Sequence, residues 1–572
     1  MSITYQDDKS HDLTNVGGDD VATVFACRHN PLPSLPWLPS LYLRSRSAFY
    51  TFSRGFLNTG KQPDPFSPFT SVYSMFTMLI DVVGSKQRIG EFFTPYTRNR
   101  SGSQPSIFEQ ASQLYEVFGC DIHSAVSAWP KTTTSLLLAD AVAIKEVSSS
   151  RSRFPKPVHH YAVLSFFGRN IVASEGEEWK KYRKISAPAF SDRNNKMVWD
   201  ETVKIMDSLF KDVWGGQEVI IVDHCVDLTL PIALFVIGAA GFGRKISWKD
   251  DDTLPAGHQM TFKGALHIVT TDIFIKLIVP DRALGLTKRM RNVKLAFKEL
   301  EQYMAEMIKE RQSSLKKETR HDLFTSLLDA NDIDSGEAKL TVSELIGNIF
   351  IFLVAGHETT AHTLCFTFAL LALYPDEQEV LYRHIQSLLA SGKAPTYENM
   401  PLFTQSMAVF YETLRLFPPV ESSPAVTGIP KESAEDTTLT TTDGEGNKTV
   451  VAVPKGVDIT IDVPGLHYNP RYWDDPHSFK PSRFLGEWPR DAFLPFSAGA
   501  RACLGRKFFE TEGIAILTML VFQYKIEVKE EPQFAGETFE QRKTRVLAAK
   551  PGITLTPVRV PLVFKIRDQK SI

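Results

Sequence analysis

From Ile107 onward, apolar residues recur at regular spacing, and the period shifts several times. The pattern predicts a helix over Ile107 to Phe118, a pair of short strands over Asp121 to Ala128 and Thr132 to Leu138, and a return to helical periodicity over Asp140 to Val147. Further helical stretches fall near 200–215, 226–241, 259–277, 289–312 and 320–330. Thr341-Val342-Ser343-Glu344 has the form of a capping box, and the pattern it opens runs unbroken to about Leu373, where Tyr374-Pro375 ends it. Two more helices are predicted over 376–391 and 402–416. Thr437 to Thr442 reads as a polar stretch leading into the turn Asp443 to Asn447. Thr449 to Val453 and Val457 to Ile461 read as strands around Pro454-Lys455-Gly456. A last apolar run from Lys507 to Phe522 is helical. The predicted fold class is mainly α, with a minor strand component near both ends of the body.

Residues 1–105 lack this regularity. Pro31, Pro33, Pro36 and Pro39 form a proline-rich patch, and Arg98 to Ser103 has linker composition. Phe69 to Val83 is apolar enough for a helix, one that could lie at a membrane interface. The segment is expected to be an atypical extension, either disordered or membrane-associated, ahead of a body spanning 106–572. The first 24 residues are polar and acidic and do not read as a cleavable signal. Leu228 to Phe242 is apolar but short and holds Pro231. Phe350 to Leu373 is interrupted by His357, Glu358 and His362. Both read as core helices and not as membrane spans.

Composition narrows the classes. The 572 residues carry 64 Lys+Arg against 66 Asp+Glu, so no basic excess argues for nucleic acid. With 43% hydrophobic and 23% charged residues, the chain is an ordinary globular one whose length alone would allow two to four domains. Five scattered cysteines with no CxxC pair argue against a disulfide framework or a structural zinc site.

One of these cysteines has chemical surroundings. Phe493 to Arg506 reads as a loop feeding a helix, punctuated by Pro495, Gly499 and Gly505. Cys503 sits at the mouth of that helix, where the dipole favours a thiolate able to act as nucleophile or metal ligand. A small buried hydrophobe is the alternative. In the long helix, Ala355-Gly356-His357-Glu358-Thr359-Thr360 interrupts an apolar run with an acid beside hydroxyls. That arrangement suits a proton path, with Glu358 relaying protons and Thr359 donating to a bound ligand. It also suits a solvent-facing stripe, or a threonine bonded back to its own helix. Glu412 and Arg415, at i and i+3, and Trp179 and Arg183, one turn apart, are each common on helix surfaces.

Taken together, Phe496-x-x-Gly499-x-Arg501-x-Cys503-x-Gly505 resembles the haem-binding loop of the cytochrome P450 family at all five positions. Ala355 to Thr360 resembles that family's oxygen-activation motif, with His357 at its variable position. Trp179/Arg183 and Glu412/Arg415 with Arg483 follow in the family's order, and the resemblance covers roughly 106–565. It implies one triangular, mostly helical domain. The implied cofactor is haem b with the Cys503 thiolate as axial ligand, which favours O–O cleavage. It implies cofactor contacts from Trp179, Arg183, Ala355, Gly356, Pro495, Phe496, Gly499, Arg501, Cys503 and Gly505, catalytic roles for Glu358 and Thr359, and a buried Glu412–Arg415–Arg483 network. The implied reaction is monooxygenation of a small lipophilic substrate by O2. Electrons would come from NADPH through a separate NADPH–cytochrome P450 reductase, with cytochrome b5 as a further donor, at the cytosolic face of the endoplasmic reticulum membrane. A haem-thiolate isomerase or peroxygenase, or a haem carrier without turnover, is the rival reading. Lys180, Lys181 and Lys184 are read as part of a basic face for an acidic redox partner. One departure stands out. The position expected to carry a basic propionate contact after Arg415 is Ala425, and the first basic residue beyond it is Lys431.

Overall fold

The computed structural model describes residues 121–127, 133–243, 248, 254–313, 322–332, 339–389, 395–419, 428–442, 447–550 and 552–567. The predicted helices over 107–118 and Phe69 to Val83, the 1–105 extension and Ala425 lie outside these residues. In chain order the elements are β1 (Ile122–Ser127), β2 (Thr133–Leu138), α1 (Ala141–Ser149), α2 (Gly176–Ser186), α3 (Asp192–Ser208), β3 (Val219–Val222), α4 (Val226–Val236), α5 (Phe262–Ile278), α6 (Lys288–Ser313) and α7 (Leu323–Asp332). They continue as α8 (Val342–Leu373), α9 (Pro375–Leu389), α10 (Thr404–Leu416), β4 (Ile429–Glu432), β5 (Thr437–Thr442), β6 (Lys448–Val453), β7 (Asp458–Ile461), α11 (Val463–His467), α12 (Arg506–Gln523), β8 (Tyr524–Val528), α13 (Phe539–Val546), β9 (Ala549–Lys550), β10 (Thr556–Pro557) and β11 (Leu562–Ile566).

The architecture is mainly α, as the periodicity predicts. The axis of the packing is α8, which at 32 residues is about 48 Å long. Its first turn is held by the predicted capping box. Thr341 Oγ1 accepts from the Glu344 amide at 3.2 Å, and Glu344 Oε2 accepts from the Thr341 amide at 2.7 Å. The helix is apolar enough to cross a membrane, but 83% of its most apolar window is buried inside the protein. Its N-terminal half packs into one apolar cluster with α5, α6 and α7. Its C-terminal half packs into a second, with α10, α12 and the sheets. Residues 355–363, the polar interruption, fall between the two clusters and belong to neither.

Two corrections concern elements. Thr437–Thr442 is a strand, β5, paired antiparallel with β6 so that Thr437 faces Val453. Threonine is β-branched and suits a strand, and Leu439 and Thr441 alternate into the interior. The helix predicted near 200–215 starts earlier, at Asp192, where Ser191 caps it, and ends in a wider turn over Leu209–Val213. The sheet β3–β11–β8 joins the middle of the chain to its far end, a pairing that no local pattern announces. The four-stranded sheet has the order β1–β2–β7–β4, with β2 and β7 parallel and β4 antiparallel to β7. That register sets Lys431 of β4 opposite Ile459.

Candidate functional site

The cysteine loop is built by backbone geometry. Pro495 and Phe496 are buried, and Ser497 has a positive φ of 58°. Gly499, at φ +64°, lies against the end of α1, where a Cβ would come within 2.2 Å of the Ser148 carbonyl oxygen, so a larger residue fits neither the angle nor the space. The Cys503 amide then bonds back to the Phe496 carbonyl at 2.9 Å, closing the loop. Cys503 precedes the N-terminus of α12, and the backbone N–H groups of Gly505 and Arg506 there favour its ionised form. Burial raises the pKa of the thiol, and those two amides together with the charges of Arg183 and Arg506 work against it. Protein packs densely around the sulfur, yet the side chain of Cys503 remains accessible. A Cβ at Gly505 would sit 3.9 Å from the thiol sulfur and 3.8 Å from the Phe190 ring.

Beside the loop lies a cluster of cations. Arg501 donates to the carbonyls of Ile171 at 3.2 Å and Ser174 at 2.5 Å, and to Glu175. Trp179 is the platform: the guanidinium carbons of Arg501, Arg151 and Arg183 lie 4.4, 4.5 and 5.6 Å from its ring centroid. Arg183 also reaches the Ala502 carbonyl at 3.3 Å. Lys156, held by the Val172 carbonyl at 2.6 Å and by the Tyr161 ring, has its pKa pushed well down by burial and then by Arg501 and Lys431. Lys431, 5% exposed, is likewise lowered by burial and by Arg501. Glu175 is the one carboxylate among the described residues that offsets both lysines. Burial would raise its own pKa, but Arg501, with the Gly176 amide and Arg151, more than reverses this. Among the described residues the buried Arg501 Nε has no hydrogen-bond partner.

Across from Phe190, whose ring centroid is 6.1 Å from that of Phe352, α8 presents an open stripe. Ala355 is exposed and Phe352, Gly356 and Thr359 are partly so, on a helix otherwise buried. Gly356 makes room for Ile237, which a Cβ there would meet at 3.0 Å. Thr359 Oγ1 donates back to the Ala355 carbonyl at 2.8 Å. Glu358 is buried at 8% exposure. Burial raises its pKa to about 7, with a hydrogen bond from Thr270 pulling the other way. His357 bonds the Leu353 carbonyl through Nδ1 at 2.8 Å, and its pKa falls to about 4, first through burial. It is a neutral core histidine. Thr360 bonds Glu512 of α12 at 3.3 Å.

Behind the loop, Glu412 and Arg415 are fully buried and doubly bonded, at 2.7 and 2.8 Å. Arg483 joins Glu412 at 3.3 Å, and Arg415 also holds the carbonyls of His467 and Pro476. The three residues therefore meet as the motif resemblance implies. His467 extends the network. Its Nδ1–H donates to the Arg415 carbonyl at 3.0 Å, and its Nε2 accepts the Leu494 amide at 2.8 Å. Burial, with help from Arg415, lowers its pKa to about 3. The salt-bridge network is thus pinned directly to the start of the cysteine loop.

The expected basic face needs one correction. Lys181 points inward to Glu344, at 2.9 Å, and ties α2 to the cap of α8. Lys180 is exposed and paired with Glu177 at 2.6 Å. Sequence reading missed Arg151, Lys156, Glu175 and His467 as site residues. A buried lysine or arginine gives no periodic signal, and these residues meet the loop only through the fold.

This set fits a metal-bearing group with acidic arms. It offers a sulfur at the mouth of α12, a partly open stripe on α8, and a buried excess of cations beside the cysteine loop.

Residues 101–555 match the family model described as Cytochrome P450. The chain is 56% identical over 465 residues to Cytochrome P450 monooxygenase 124 of Postia placenta, covering 81% of this chain and 89% of that protein. It is 30% identical over 474 residues to Cytochrome P450 monooxygenase prx9 of Penicillium rubens, covering 75% and 79%. Its fold matches the crystal structure of the cytochrome P450DA heme domain with a TM-score of 0.66 at 22% identity, covering 83% of this chain and 97% of that one.

Proposed function

The chain belongs to the cytochrome P450 family and is a haem-thiolate monooxygenase, and we propose that Cys503 is its iron ligand and that the groups around Cys503 hold the haem. When bound, the haem supplies the centre at which O2 is activated, so that one oxygen atom enters an organic substrate and the other leaves as water. The observation that carries the ligand assignment is the place of Cys503 in a closed loop at the N-terminus of α12, where the amides of Gly505 and Arg506 favour the thiolate. Backbone donors stabilise a thiolate without adding a proton that could compete for it.

The remaining roles follow from position. Arg501, Lys156 and Lys431, with Trp179 as platform and Arg183 beside the loop, bind the acidic arms of the haem and bring the cluster near neutrality. Pro495, Phe496, Gly499 and Gly505 shape the loop, and Ala355 and Gly356 keep the facing helix surface low. Glu358 holds a proton near neutral pH, and Thr359 presents a hydroxyl one position further on. The side chains nearest the open stripe are Phe352, Phe190 and Ile237, so a lipophilic substrate fits best.

The enzyme draws electrons from a redox partner. We assign that role to NADPH–cytochrome P450 reductase, with cytochrome b5 as a second donor, at the cytosolic face of the endoplasmic reticulum membrane; the support is family likeness. The ligand assignment is tested by the reduced, CO-bound spectrum. The protein shows the red-shifted Soret band of a thiolate-ligated haem, and Cys503→Ala loses it. Retention of that band in the variant would refute the assignment.

A further inference from the structure

The open stripe of α8 comes to an end, and a side-chain pair marks the place. Residues three and four apart share a helix face, so Phe352, Ala355, Gly356 and Thr359 are followed on that face by His362 and Thr363. The first four are open or partly open, whereas every residue from Thr360 to Leu371 is buried. His362 is 5% exposed, although it lies on the face along which the stripe runs. The turn between β9 and β10 lies over it, with β10 packed on α8. His362 Nδ1 and the Thr554 hydroxyl of that turn share a hydrogen bond at 2.8 Å, and Thr554 is buried as well. Burial lowers the His362 pKa to about 3, so the ring is neutral and meets the hydroxyl with no charge to desolvate.

The hairpin itself is short. β9 and β10 pair Thr556 with Lys550 and Pro557 with Ala549, and a two-stranded ribbon of this kind is marginal on its own. Its turn therefore depends on what it touches. The Leu555 amide donates to the Pro419 carbonyl at 2.9 Å, which ties the turn to the exit of α10. The His362–Thr554 bond ties it to α8. Ile553, just before Thr554, packs against the apolar cluster that also takes in Phe190 and Phe352, the side chains beside the stripe. An apolar residue thus stands at the closed end of the stripe, on a turn whose seat on α8 is fixed by one side-chain pair.

We propose that the turn Gly552–Leu555 is the end wall of the ligand stripe on α8, and that His362 is the positioning residue that latches it there through Thr554, so that the pair sets how long a lipophilic substrate the enzyme accepts. The inference rests on the haem-site reading given above, in which the stripe is the face that receives substrate.

The test titrates haem-loaded enzyme with N-alkylimidazoles from butyl to dodecyl. The free imidazole nitrogen binds the iron and shifts the Soret band, which gives a Kd for each chain length. In the wild type, affinity rises about fourfold per methylene while the chain finds apolar room, then levels off at the length that reaches the turn. His362→Leu and Thr554→Val each move the levelling point to longer chains. The dodecyl compound then binds about tenfold tighter than to wild type, the worth of one or two more buried methylenes, while the butyl Kd is unchanged. The double variant goes no further than either single one, because both remove the same bond. His362→Asn, whose amide can still meet Thr554, and Thr554→Ser, which keeps the hydroxyl, retain the wild-type profile. A levelling point unmoved in His362→Leu and Thr554→Val, additive shifts in the double variant, or a His362→Asn protein that behaves like His362→Leu overturns the latch. Should His362→Leu fail to hold haem, Thr554→Val against Thr554→Ser carries the same comparison. Wild-type affinity that ignores chain length overturns the reading of the stripe as the substrate face, and the inference with it; a wild-type profile that levels off and is kept in the variants overturns the latch alone.

Discussion

Lys431 on β4 and Arg501 of the cysteine loop act on each other as buried like charges, and each lies in the field of the same carboxylate, Glu175. Such a pair costs stability unless an anion joins it. Removing Lys431 should therefore have opposite effects on the two forms of the protein. Lys431→Met leaves the haem-free protein as stable as wild type or more so. It weakens haem retention by about tenfold, the scale of one charge-assisted hydrogen bond. Thermal unfolding of the haem-free form and the rate of haem transfer to an acceptor protein separate the two effects. Equal retention would remove Lys431 from the set.

Thr359 keeps its hydroxyl bonded to the Ala355 carbonyl at 2.8 Å. That bond turns the group toward the open side of α8 and leaves a lone pair available. Thr359→Ala consumes NADPH at a similar rate but diverts most of it to peroxide, whereas Thr359→Ser stays coupled. The ratio of product to NADPH consumed is the measurement. Coupling also falls as pH rises through about 7, because Glu358, raised to that value by burial, then loses the proton it delivers.

Glu412 and Arg415 are both fully buried. Deleting one partner strands the other charge, at a cost of about 3–5 kcal/mol. Arg415→Met is expected to express largely without haem. In chemical denaturation its midpoint falls well below that of an exposed-pair control such as Lys180→Met, whose partner Glu177 is solvated.

His258 is clamped between Glu299 at 2.9 Å and Glu306 at 3.0 Å, with its ring stacked 3.7 Å from Tyr303. Burial alone would lower its pKa, but the two carboxylates more than reverse this and raise it. A group whose pKa rises on folding contributes its full stability below its unfolded value, and loses it as pH climbs through the folded one. Amide exchange in α5 and α6, corrected for the intrinsic rate, should quicken as pH rises above the ordinary histidine range. His258→Gln should flatten that dependence. An unaltered pH profile in the variant would show that the clamp does not titrate.

The elements and motifs that could be read from the chain are those whose signal is contiguous. The capping box of Thr341 and Glu344 and the apolar run behind it predict α8 almost to the residue, because a helix bonds only to itself four positions away. The cysteine loop is legible for the same reason: Phe496, Gly499 and Cys503 meet within one closed turn. The polar reading of Thr437–Thr442 failed because a strand's stability lies in its partner, here β6, and in the burial of alternate side chains.

Sequence by itself determined the helical body, the identity of the candidate ligand and the reaction class that its motifs imply. Tertiary structure decided which charges surround that ligand. Glu175 and Arg501 stand 326 positions apart and Lys431 lies on a strand between them, yet burial brings all three into one low-dielectric site. In that setting a charge acts through distance in space, which no spacing along the chain records.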